Sequence, residues 1–244
     1  MDGKIHLSVI IPAYNEQETL PATLASVSDY LKKQNFSYEI IVINDASKDR
    51  TAAVVGELLG KIANLKLIDE KINRGKGSSV KKGILEASGD FRLFMDADNA
   101  TTIDQVEGMW PEFEKGADVV IGSRDIEGAD IVVAQPWWRI LMGNIFNLIV
   151  QIIVGLWGIK DTQCGFKGFR AAVAEDIFSR CKIDRWAFDV EVLLIAKKFG
   201  YKIKEIPVRW VNNPNSKVSF KGMVKMLLEV LKIRWNAIKG AYGR

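Results

Sequence analysis

Apolar and polar residues alternate in blocks along the first half of the chain. Short apolar runs rich in Ile and Val, such as residues 40–43, precede longer segments whose apolar residues have helical spacing. The order is strand, helix, strand, helix, strand, helix, strand, read from HLSVIIPAY, EQETLPATLASVSDYLKKQ, YEIIVINDA, KDRTAAVVGELLGKI, NLKLIDE, GKGSSVKKGILEAS and DFRLFMDAD. Nearly continuous apolar strands suit a sheet that is covered on both faces. The pattern therefore predicts an α/β fold with a mostly parallel sheet flanked by helices.

A later segment, residues 140–159, carries no charged side chain. Its length is nominally enough for a helix that spans a bilayer. However, Asn144, Asn147 and Gln151 fall on one helical face, and three glycines weaken the helix. We expect a helix that lies in the plane of a membrane interface. Burial against the domain or in an oligomer contact is the alternative, and a true span is less favoured.

The C-terminal segment, residues 219–244, predicts a basic amphipathic helix. Its polar face carries Lys221, Lys225, Glu229, Lys232 and Lys239. Its apolar surface includes Met223, Leu227, Val230 and Ile238. Such a helix binds an anionic membrane surface or packs against its own domain, and the sequence leaves both open.

The composition adds limits to this description. With 244 residues, of which 48% are hydrophobic, the chain can form one large α/β domain or two small ones. A net charge of +4 is mild and gives no indication of a nucleic-acid partner. Two cysteines and one histidine provide neither a disulfide framework nor a Cys/His metal site, so a cytosolic setting is expected. The first apolar run is too short for a secretory signal and is interpreted as a strand, so no export is expected.

Polar residues follow the predicted strands at their carboxyl ends, where α/β sheets bind ligands. PAYNE follows the first strand, NDASKD the second and DAD the fourth, and the later strand ADVVIGSR ends at Arg124. The residues that bind ligand or take part in catalysis are therefore expected at this edge of the sheet.

The most specific of these segments contains Asp96 and Asp98. Two carboxylates that converge at a strand end repel each other, which raises their pKa values unless a cation lies between them. A hard divalent ion such as Mg²⁺ or Mn²⁺, with waters and substrate phosphates as further ligands, removes this conflict. The alternative is a pair of solvated turn aspartates.

The segment NRGKGSSVKKG places Gly75 and Gly77 around Lys76. Glycines allow close approach of the backbone to an anion, and the N-terminus of the following helix favours negative charge. The alternative is a loop that only caps the helix. The spacing is not that of a Walker motif, and no strand leads into a Gly-x-Gly-x-x-Gly turn, so a simple NTPase and a dinucleotide cofactor are both disfavoured.

The first two strand ends offer groups suited to a nucleoside. Tyr14 can pack along a base, and Glu16 and Asp45 can accept hydrogen bonds from a base N–H or a ribose hydroxyl. Helix capping is the alternative. In that case Asn15 or Glu16 begins the first helix, and Asp45 or Ser47 begins the second.

Taken together, VIIPAYNE, VINDASKDRT, NRGKGSSVKKGI, MDADNAT, VIGSR and DTQCGFKGFR resemble the inverting glycosyltransferase family 2, which has the GT-A fold. The chain looks most similar to the dolichyl-phosphate glucosyltransferase and mannosyltransferase branch, over residues 7–217. DTQCGFK looks closer to the glucosyltransferase side. The resemblance implies a catalytic domain over residues 1–218, which includes an interface helix at 136–159, followed by the helix at 219–244.

The resemblance also implies a donor site. Its nucleotide-sugar-binding residues would be Pro12, Ala13, Tyr14, Glu16, Asp45, Lys76, Asp96, Ala97 and Lys217. Asp96 and Asp98 would hold the Mg²⁺ or Mn²⁺. Some relatives have a glutamine ligand two residues after the second aspartate, where this chain has Ala100.

On the acceptor side, Arg124 and Arg139 match arginines that hold a lipid phosphate, and guanidinium groups suit phosphate oxygens. The alternative for Arg139 is an interfacial side chain beside two tryptophans. With Asp98 and Asp161 they complete the implied catalytic set. A lipid phosphate is already ionised and needs no base, so Asp161 is expected to orient the site.

Two further acidic residues, Asp189 and Glu191, remain as candidates, and Asp189 is expected to pair with an arginine or cap a turn. Cys164 is discounted as a nucleophile because no base is placed beside it.

The expected function is transfer of glucose from UDP-glucose to a dolichyl or polyprenyl phosphate, with inversion, at the cytoplasmic face of a membrane. Transfer of mannose from GDP-mannose or of an N-acetylhexosamine, a saccharide acceptor, and nucleotide-sugar binding without catalysis remain alternatives. A nucleotidyltransferase is disfavoured because PAYNE stands where a Gly-rich, Arg-containing loop belongs. The expected partners are a nucleotide sugar, a polyprenyl phosphate and a membrane surface, without nucleic acid and with an oligomer possible.

Overall fold

Strands and helices alternate over the first half of the chain, as the apolar pattern predicts. A computed structural model describes residues 4–133, 137–211 and 220–243, with residues 137–140, 220, 221 and 223 described by their backbone alone. The strands are β1 (Leu7–Ala13), β2 (Tyr38–Asp45), β3 (Leu65–Glu70), β4 (Phe91–Met95), β5 (Val119–Ser123), β6 (Asp130–Ile131), β7 (Phe166–Arg170), β8 (Ile203–Pro207) and β9 (Arg209–Trp210). The helices are α1 (Leu20–Leu31), α2 (Thr51–Leu58), α3 (Lys76–Glu86), α4 (Trp110–Glu114), α5 (Trp137–Val154), α6 (Ala171–Arg180), α7 (Phe188–Lys198) and α8 (Phe220–Ile238), with a 3-10 helix at Ile103–Gly108.

The main sheet has seven strands in the order β3-β2-β1-β4-β7-β5-β8. Every neighbouring pair is parallel except the two pairs that β7 makes with β4 and β5. The strand order reverses between β1 and β4, which makes this the topological switch point where α/β sheets bind ligands. The prediction of a mostly parallel α/β sheet flanked by helices is confirmed.

The antiparallel strand β7 was not among the predicted strands. Its sequence, FKGFR, is short and contains a lysine and a glycine, both poor indicators of a central strand. Lys167 lies opposite Phe94 in the register with β4 and is fully buried. Because β7 runs antiparallel, the residues just before it lie beside the carboxyl end of β4.

The core lies on both faces of the sheet, as the continuous apolar strands require. Alternate residues of β1 point to opposite sides, so Ile10 joins one buried cluster and Val9 and Ile11 join the other. The first cluster includes side chains from α3 and from α5 to α8, and the second includes side chains from α1. This packing fixes the strand ends that carry the polar residues.

Helix α5 is shorter than the uncharged segment predicted. It ends at Val154 rather than continuing to residue 159, because Gly155 adopts a left-handed φ of 78° that ends the helix. The polar face consists of amides that bind the next loop. Asn147 donates to the carbonyl of Lys160, and Gln151 Nε2 donates to the carbonyl of Ile159 at 3.0 Å.

Helices α5 and α8 pack against each other, and both carry exposed apolar residues. We define the apolar surface by these exposed residues: Leu141, Met142, Ile145, Leu148 and Ile152 on α5, and Val224, Leu228, Leu231, Trp235 and Ile238 on α8. Met226, Val230 and Ile233 form a second, buried apolar face on α8. The broad apolar surface predicted for this helix is therefore divided by packing: Val230 is buried in the core, whereas Ile238 is exposed. Within the described ranges, no helix is both long and apolar enough to cross a membrane.

Candidate active site

The loops after β1 and β2 are joined by hydrogen bonds. The amide of Asn15 donates to Ser47 Oγ at 2.9 Å, and the amide of Lys48 donates to Asn15 Oδ1 at 2.8 Å. The amide of Glu16 donates to Thr51 Oγ1 at 2.8 Å. The N-cap positions of α1 and α2 are Thr19 and Arg50. The capping alternative for Asn15, Glu16, Asp45 and Ser47 is therefore wrong, and these contacts hold the two loops together.

Asp45, a predicted nucleoside ligand, is buried at the end of β2. Its carboxylate accepts hydrogen bonds from the amides of Arg74 and Gly75 at 2.9 and 2.8 Å. It also accepts one from Asn73 Nδ2 at 3.0 Å. In this arrangement Asp45 holds the glycine-lysine loop beside β2, and a contact between Asp45 and a nucleoside stays a prediction.

The glycine-lysine loop packs against residues 183–188, a contact that the sequence analysis did not predict. The amides of Gly77 and Ser78 donate to the carbonyls of Arg185 and Asp184 at 3.2 and 2.9 Å. A Cβ added at Gly75 or Gly77 would lie within 2.7 Å of this 183–188 segment. The glycines thus allow two backbones to approach closely, and these two amides do not form the predicted anion cradle.

Lys76 carries the positive charge of the site. Its Nζ lies 2.5 Å from Asp96 Oδ1. It also lies near three aromatic rings, 5.7, 5.9 and 6.0 Å from the ring centres of Phe94, Phe188 and Trp186. Burial lowers the pKa of an ammonium group, but the carboxylates of Asp96 and Asp189 more than offset this, so the pKa of Lys76 is raised. The lysine therefore stays charged at neutral pH.

Asp96 and Asp98 follow β4 and lie close enough to repel each other. Burial raises the pKa of Asp98, and the charge of Asp96 raises it further. The amide of Ala100 donates to Asp98 Oδ1 at 3.1 Å, and the buried Oδ1 of Asn99 accepts no hydrogen bond in the part of the chain that is described. Underused oxygens of this kind are the ligands that Mg²⁺ and Mn²⁺ prefer, so the residues fit such an ion.

The rest of a coordination shell would have to come from elsewhere. Across the described residues, no group of three or more His, Cys, Asp or Glu side chains is arranged to hold a metal ion. Ala100, which stands where some relatives have glutamine, is buried and offers no ligand. Two carboxylates with substrate phosphates and water are a usual setting for Mg²⁺.

Gly165 makes room for the Asp96 carboxylate, a role that the sequence analysis missed. The carbonyl of Gly165 accepts a hydrogen bond from the Asp96 amide at 3.1 Å. A Cβ on Gly165 would clash with all three atoms of the Asp96 carboxylate group. Similarly, Thr23 Oγ1 donates to the carbonyl of Ala97 at 2.7 Å and fixes the turn between the two aspartates.

Arg124, at the end of β5, is held by Asp161. Its Nε and Nη2 donate to the two carboxylate oxygens at 2.7 and 3.0 Å, and its amide donates to Oδ2 at 3.0 Å. Burial would raise the pKa of Asp161, but the charge and hydrogen bonds of Arg124 hold it below its usual range. The guanidinium group also lies 5.3 Å from the ring of Trp210. Asp161 is thus ionised and fixes the orientation of the Arg124 side chain.

The other acidic candidates are structural in this arrangement. Asp189 pairs with Lys167 at 2.6 Å, rather than with an arginine. Glu191 accepts from the amides of Lys182 and Ile183 at 2.9 and 2.8 Å and from the hydroxyl of Tyr242 at 2.7 Å.

The Cys164 thiol is also unsuited to catalysis. It is buried, which raises its pKa to about 12, so a nucleophilic thiolate is not available there.

Two predicted residues fall outside this description. Lys217 lies outside the described residues. Arg139 belongs to α5, and only its backbone is described. Among the other predicted residues, Pro12 and Ala13 form the end of β1, and Tyr14 and Glu16 lie in the loop that follows.

The contact between Gly165 and Asp96 gives a test of the metal site. The change Gly165→Ala should displace the Asp96 carboxylate and lower the affinity for Mn²⁺ by about tenfold or more, the effect expected when the support of a ligand is lost. Titration calorimetry with Mn²⁺ measures this. Gly56→Ala is the matched control, because no atom lies within 4 Å of a Cβ at that position. Equal Mn²⁺ affinities in both variants would remove the role assigned to Gly165.

Comparison with known proteins agrees with this geometry. The family model described as "Glycosyl transferase family 2" matches residues 8–178. The chain is 40% identical to a dolichyl-phosphate beta-glucosyltransferase of Dictyostelium discoideum, over 98% of this chain and 76% of that protein. It is 35% identical to a protein of the same name from Homo sapiens, over 97% of this chain and 77% of that one.

Two solved structures share the fold at low sequence identity. Mannosyl-3-phosphoglycerate synthase from Rubrobacter xylanophilus superposes with a TM-score of 0.72 at 17% identity, over 97% of this chain and 75% of that one. Glucosyl-3-phosphoglycerate synthase from Mycobacterium tuberculosis, in complex with Mn²⁺, UDP and phosphoglyceric acid, superposes with a TM-score of 0.65 at 17% identity, over 98% and 79%. The family match over most of the chain and the near full-length relatives lead to one conclusion: the chain belongs to glycosyl transferase family 2 and is a glycosyltransferase of the GT-A fold.

Proposed function

We propose that this glycosyltransferase moves glucose from UDP-glucose to a dolichyl or other polyprenyl phosphate, with inversion at the sugar. The observation that carries the proposal is the similarity over nearly the whole chain to proteins named dolichyl-phosphate beta-glucosyltransferase. The acidic pair beside Lys76 and the exposed apolar surface on α5 and α8 support it, because a sugar diphosphate donor and a lipid acceptor require both.

The reaction needs placement and charge neutralisation more than acid-base chemistry. An oxygen of the lipid phosphate forms a bond to the anomeric carbon from the face opposite the UDP. The bond between that carbon and the UDP oxygen breaks, and the electron pair leaves with UDP. The attacking oxygen is already ionised, so no side chain has to remove a proton. The ionised state of Asp161 agrees with this, since it is held by Arg124.

The donor diphosphate would lie at the acidic end of β4. Asp96 and Asp98 would hold Mg²⁺ or Mn²⁺, which when bound supplies positive charge to the departing UDP. Lys76 would add a second positive charge to the same diphosphate and stabilise the charge that develops on it. Lys76 reaches this position from the first turn of α3, where it now contacts Asp96.

The nucleoside would lie against the carboxyl ends of β1 and β2. Pro12, Ala13, Tyr14, Glu16, Asp45 and Ala97 would line it, and Lys217 would cover the diphosphate. Ala13 and Ala97 are buried and would form a rigid surface there. The backbone of Ala13 is held by the sheet, and that of Ala97 by its hydrogen bond from Thr23. Asp45 would act chiefly through the loop that it holds.

The acceptor phosphate would bind to Arg124 and Arg139, with Asp161 fixing the orientation of Arg124. Two of the three guanidinium nitrogens of Arg124 donate to Asp161, so Nη1 would make the contact with phosphate. An arginine that is already oriented loses less entropy on binding than a mobile one.

The apolar surface of α5 and α8 would rest on a membrane. Exposed Lys225, Lys232 and Arg234 lie on α8, Lys239 directly follows it, and all four would be attracted to anionic lipid headgroups. Helix α5 thereby keeps the role of interface helix expected of residues 136–159. A cytoplasmic leaflet, which is rich in anionic lipid, is the membrane face that we propose.

A transfer assay tests the proposed reaction. Purified protein with radiolabelled UDP-glucose, Mg²⁺ or Mn²⁺ and polyprenyl phosphate should move label into the organic phase. Asp98→Ala should lower the rate by about a hundredfold or more while the fold is retained, since stabilisation of the leaving group is lost. Asp104→Asn is the control, because this exposed carboxylate lies on the 3-10 helix.

Other outcomes of the same assay distinguish the alternatives. Transfer of label from GDP-mannose or a UDP-N-acetylhexosamine, but not from UDP-glucose, would show that the donor is a different nucleotide sugar. Transfer to a soluble saccharide but not to the lipid would show that the acceptor is a saccharide rather than a polyprenyl phosphate. UDP binding without any transfer would indicate a binding protein, and a normal rate in Asp98→Ala would remove the mechanism.

Membrane docking has a separate test. The double change Leu228→Glu and Trp235→Glu places two charges on the apolar surface and should weaken binding to vesicles of anionic phospholipid by about tenfold or more. Vesicle sedimentation measures this. Leu85→Glu is the control, because Leu85 is an exposed apolar residue on α3, outside that surface. Unchanged vesicle binding by the double variant would show that the apolar surface does not face the membrane.

A further inference from the structure

A buried ion pair lies behind the donor site, and the mechanism above makes no use of it. Lys167 on β7 and Asp189 on α7 are both buried, with Lys167 Nζ 2.6 Å from Asp189 Oδ1. Lys167 Nζ also donates to the carbonyl of Cys164 at 2.6 Å. A buried ion pair is seldom the most stable choice for a core, since apolar residues of similar volume often fill the same space at no cost in stability.

The ion pair and Lys76 share one aromatic ring. The ammonium of Lys167 lies 5.5 Å from the centre of the Phe94 ring, and that of Lys76 lies 5.7 Å from it. Phe188, which neighbours Asp189 in α7, packs against Phe94 with ring centres 5.5 Å apart and also lies under Lys76. The charge of Asp96 raises the pKa of Lys76, and the charge of Asp189 raises it further.

The two carboxylates around Lys76 have different surroundings. Asp96 is 36% exposed and faces the proposed metal and diphosphate, whereas Asp189 is 5% exposed and fixed by Lys167. If Asp96 held a divalent ion as proposed, Lys76 would lose the partner that it contacts. Asp189 stays in place, because its own partner is on the central strand β7.

We infer that Asp189, fixed by Lys167, is a positioning residue that keeps Lys76 directed at the donor diphosphate once Asp96 holds the metal ion. This inference rests on the proposed function, since it assigns Lys76 to the diphosphate. Asp189 touches neither donor nor acceptor in this role. It acts through Lys76, and the Phe94 and Phe188 rings form the floor on which the lysine lies.

The test removes both charges of the pair together, so that no lone charge stays buried. The double variant Lys167→Gln and Asp189→Asn keeps the lengths and polarity of the side chains. Lys167→Met with Asp189→Val is the second form, which restores an apolar core if the first does not fold. Circular dichroism and thermal melting confirm folding. Glu39→Gln is the control, because Glu39 is a buried carboxylate on β2, three strands away from β7, and pairs with Lys66 on the edge strand β3.

The readouts are the affinities for UDP and for UMP, each titrated with MnCl₂ present. The folded double variant should bind UDP at least about tenfold more weakly than the unchanged protein. A loss of this size is expected when a hydrogen bond to a charged group is lost. Its affinity for UMP, which lacks the second phosphate, should change less. In a Lys76→Met background the same double change should have no further effect on UDP, because the pair acts through Lys76. Glu39→Gln should bind both nucleotides as the unchanged protein does.

Several results would overturn the inference. One is a folded double variant that binds UDP as tightly as the unchanged protein. A second is an equal loss of affinity for UDP and for UMP. A third is a loss of UDP affinity in the Lys76→Met background that is as large as in the unchanged background. Failure of the unchanged protein to bind UDP would overturn it together with the proposed function. If the unchanged protein binds UDP but transfers no glucose, the proposed function fails, while the coupling between Asp189 and Lys76 is still decided by the titrations.

Discussion

The repulsion between Asp96 and Asp98 at the end of β4 is the constraint on which the site depends. Two carboxylates at this depth must be balanced by positive charge, and Lys76 provides part of it at 2.5 Å from Asp96. Lys76 in turn lies in a partly buried position that Asp189 and Lys167 help to balance. The acidic pair, the lysine and the buried pair thus form one electrostatic unit built from β4, α3, α7 and β7. A divalent ion and a diphosphate would enter this unit as opposite charges.

The antiparallel strand β7 makes this unit possible. It inserts between β4 and β5, so the turn before it lies against Asp96, where only a glycine leaves room for the carboxylate. The same segment, from Asp161 to Lys167, orients Arg124 at one end and anchors Asp189 at the other. One short stretch therefore connects the proposed acceptor and donor sides. The exposed apolar surface on α5 and α8 belongs to the same body, because its helices pack into the first core cluster.

The sequence predicts the sheet of the first half well, because each strand and helix there has its own apolar period and the polar residues follow the strand ends. The antiparallel β7 was missed, since a lysine in FKGFR suggests exposure, and its burial depends on a pairing with Asp189 that the local sequence does not show. The glycines of the Lys76 loop were assigned to an anion, whereas they accommodate the backbone of residues 183–185, more than a hundred positions away. The end of α5 depends on one glycine at positive φ, which an uncharged run does not reveal. Local patterns thus predict elements, but not the long-range contacts that determine what each polar group can do.

A crystal structure with UDP and Mn²⁺ tests the central claim most directly. The account predicts one Mn²⁺ ion bound by Asp96 and Asp98 and by oxygens of the UDP diphosphate, with Lys76 moved from Asp96 to that diphosphate. A cation bound elsewhere, or UDP bound while both carboxylates face bulk water, would contradict it.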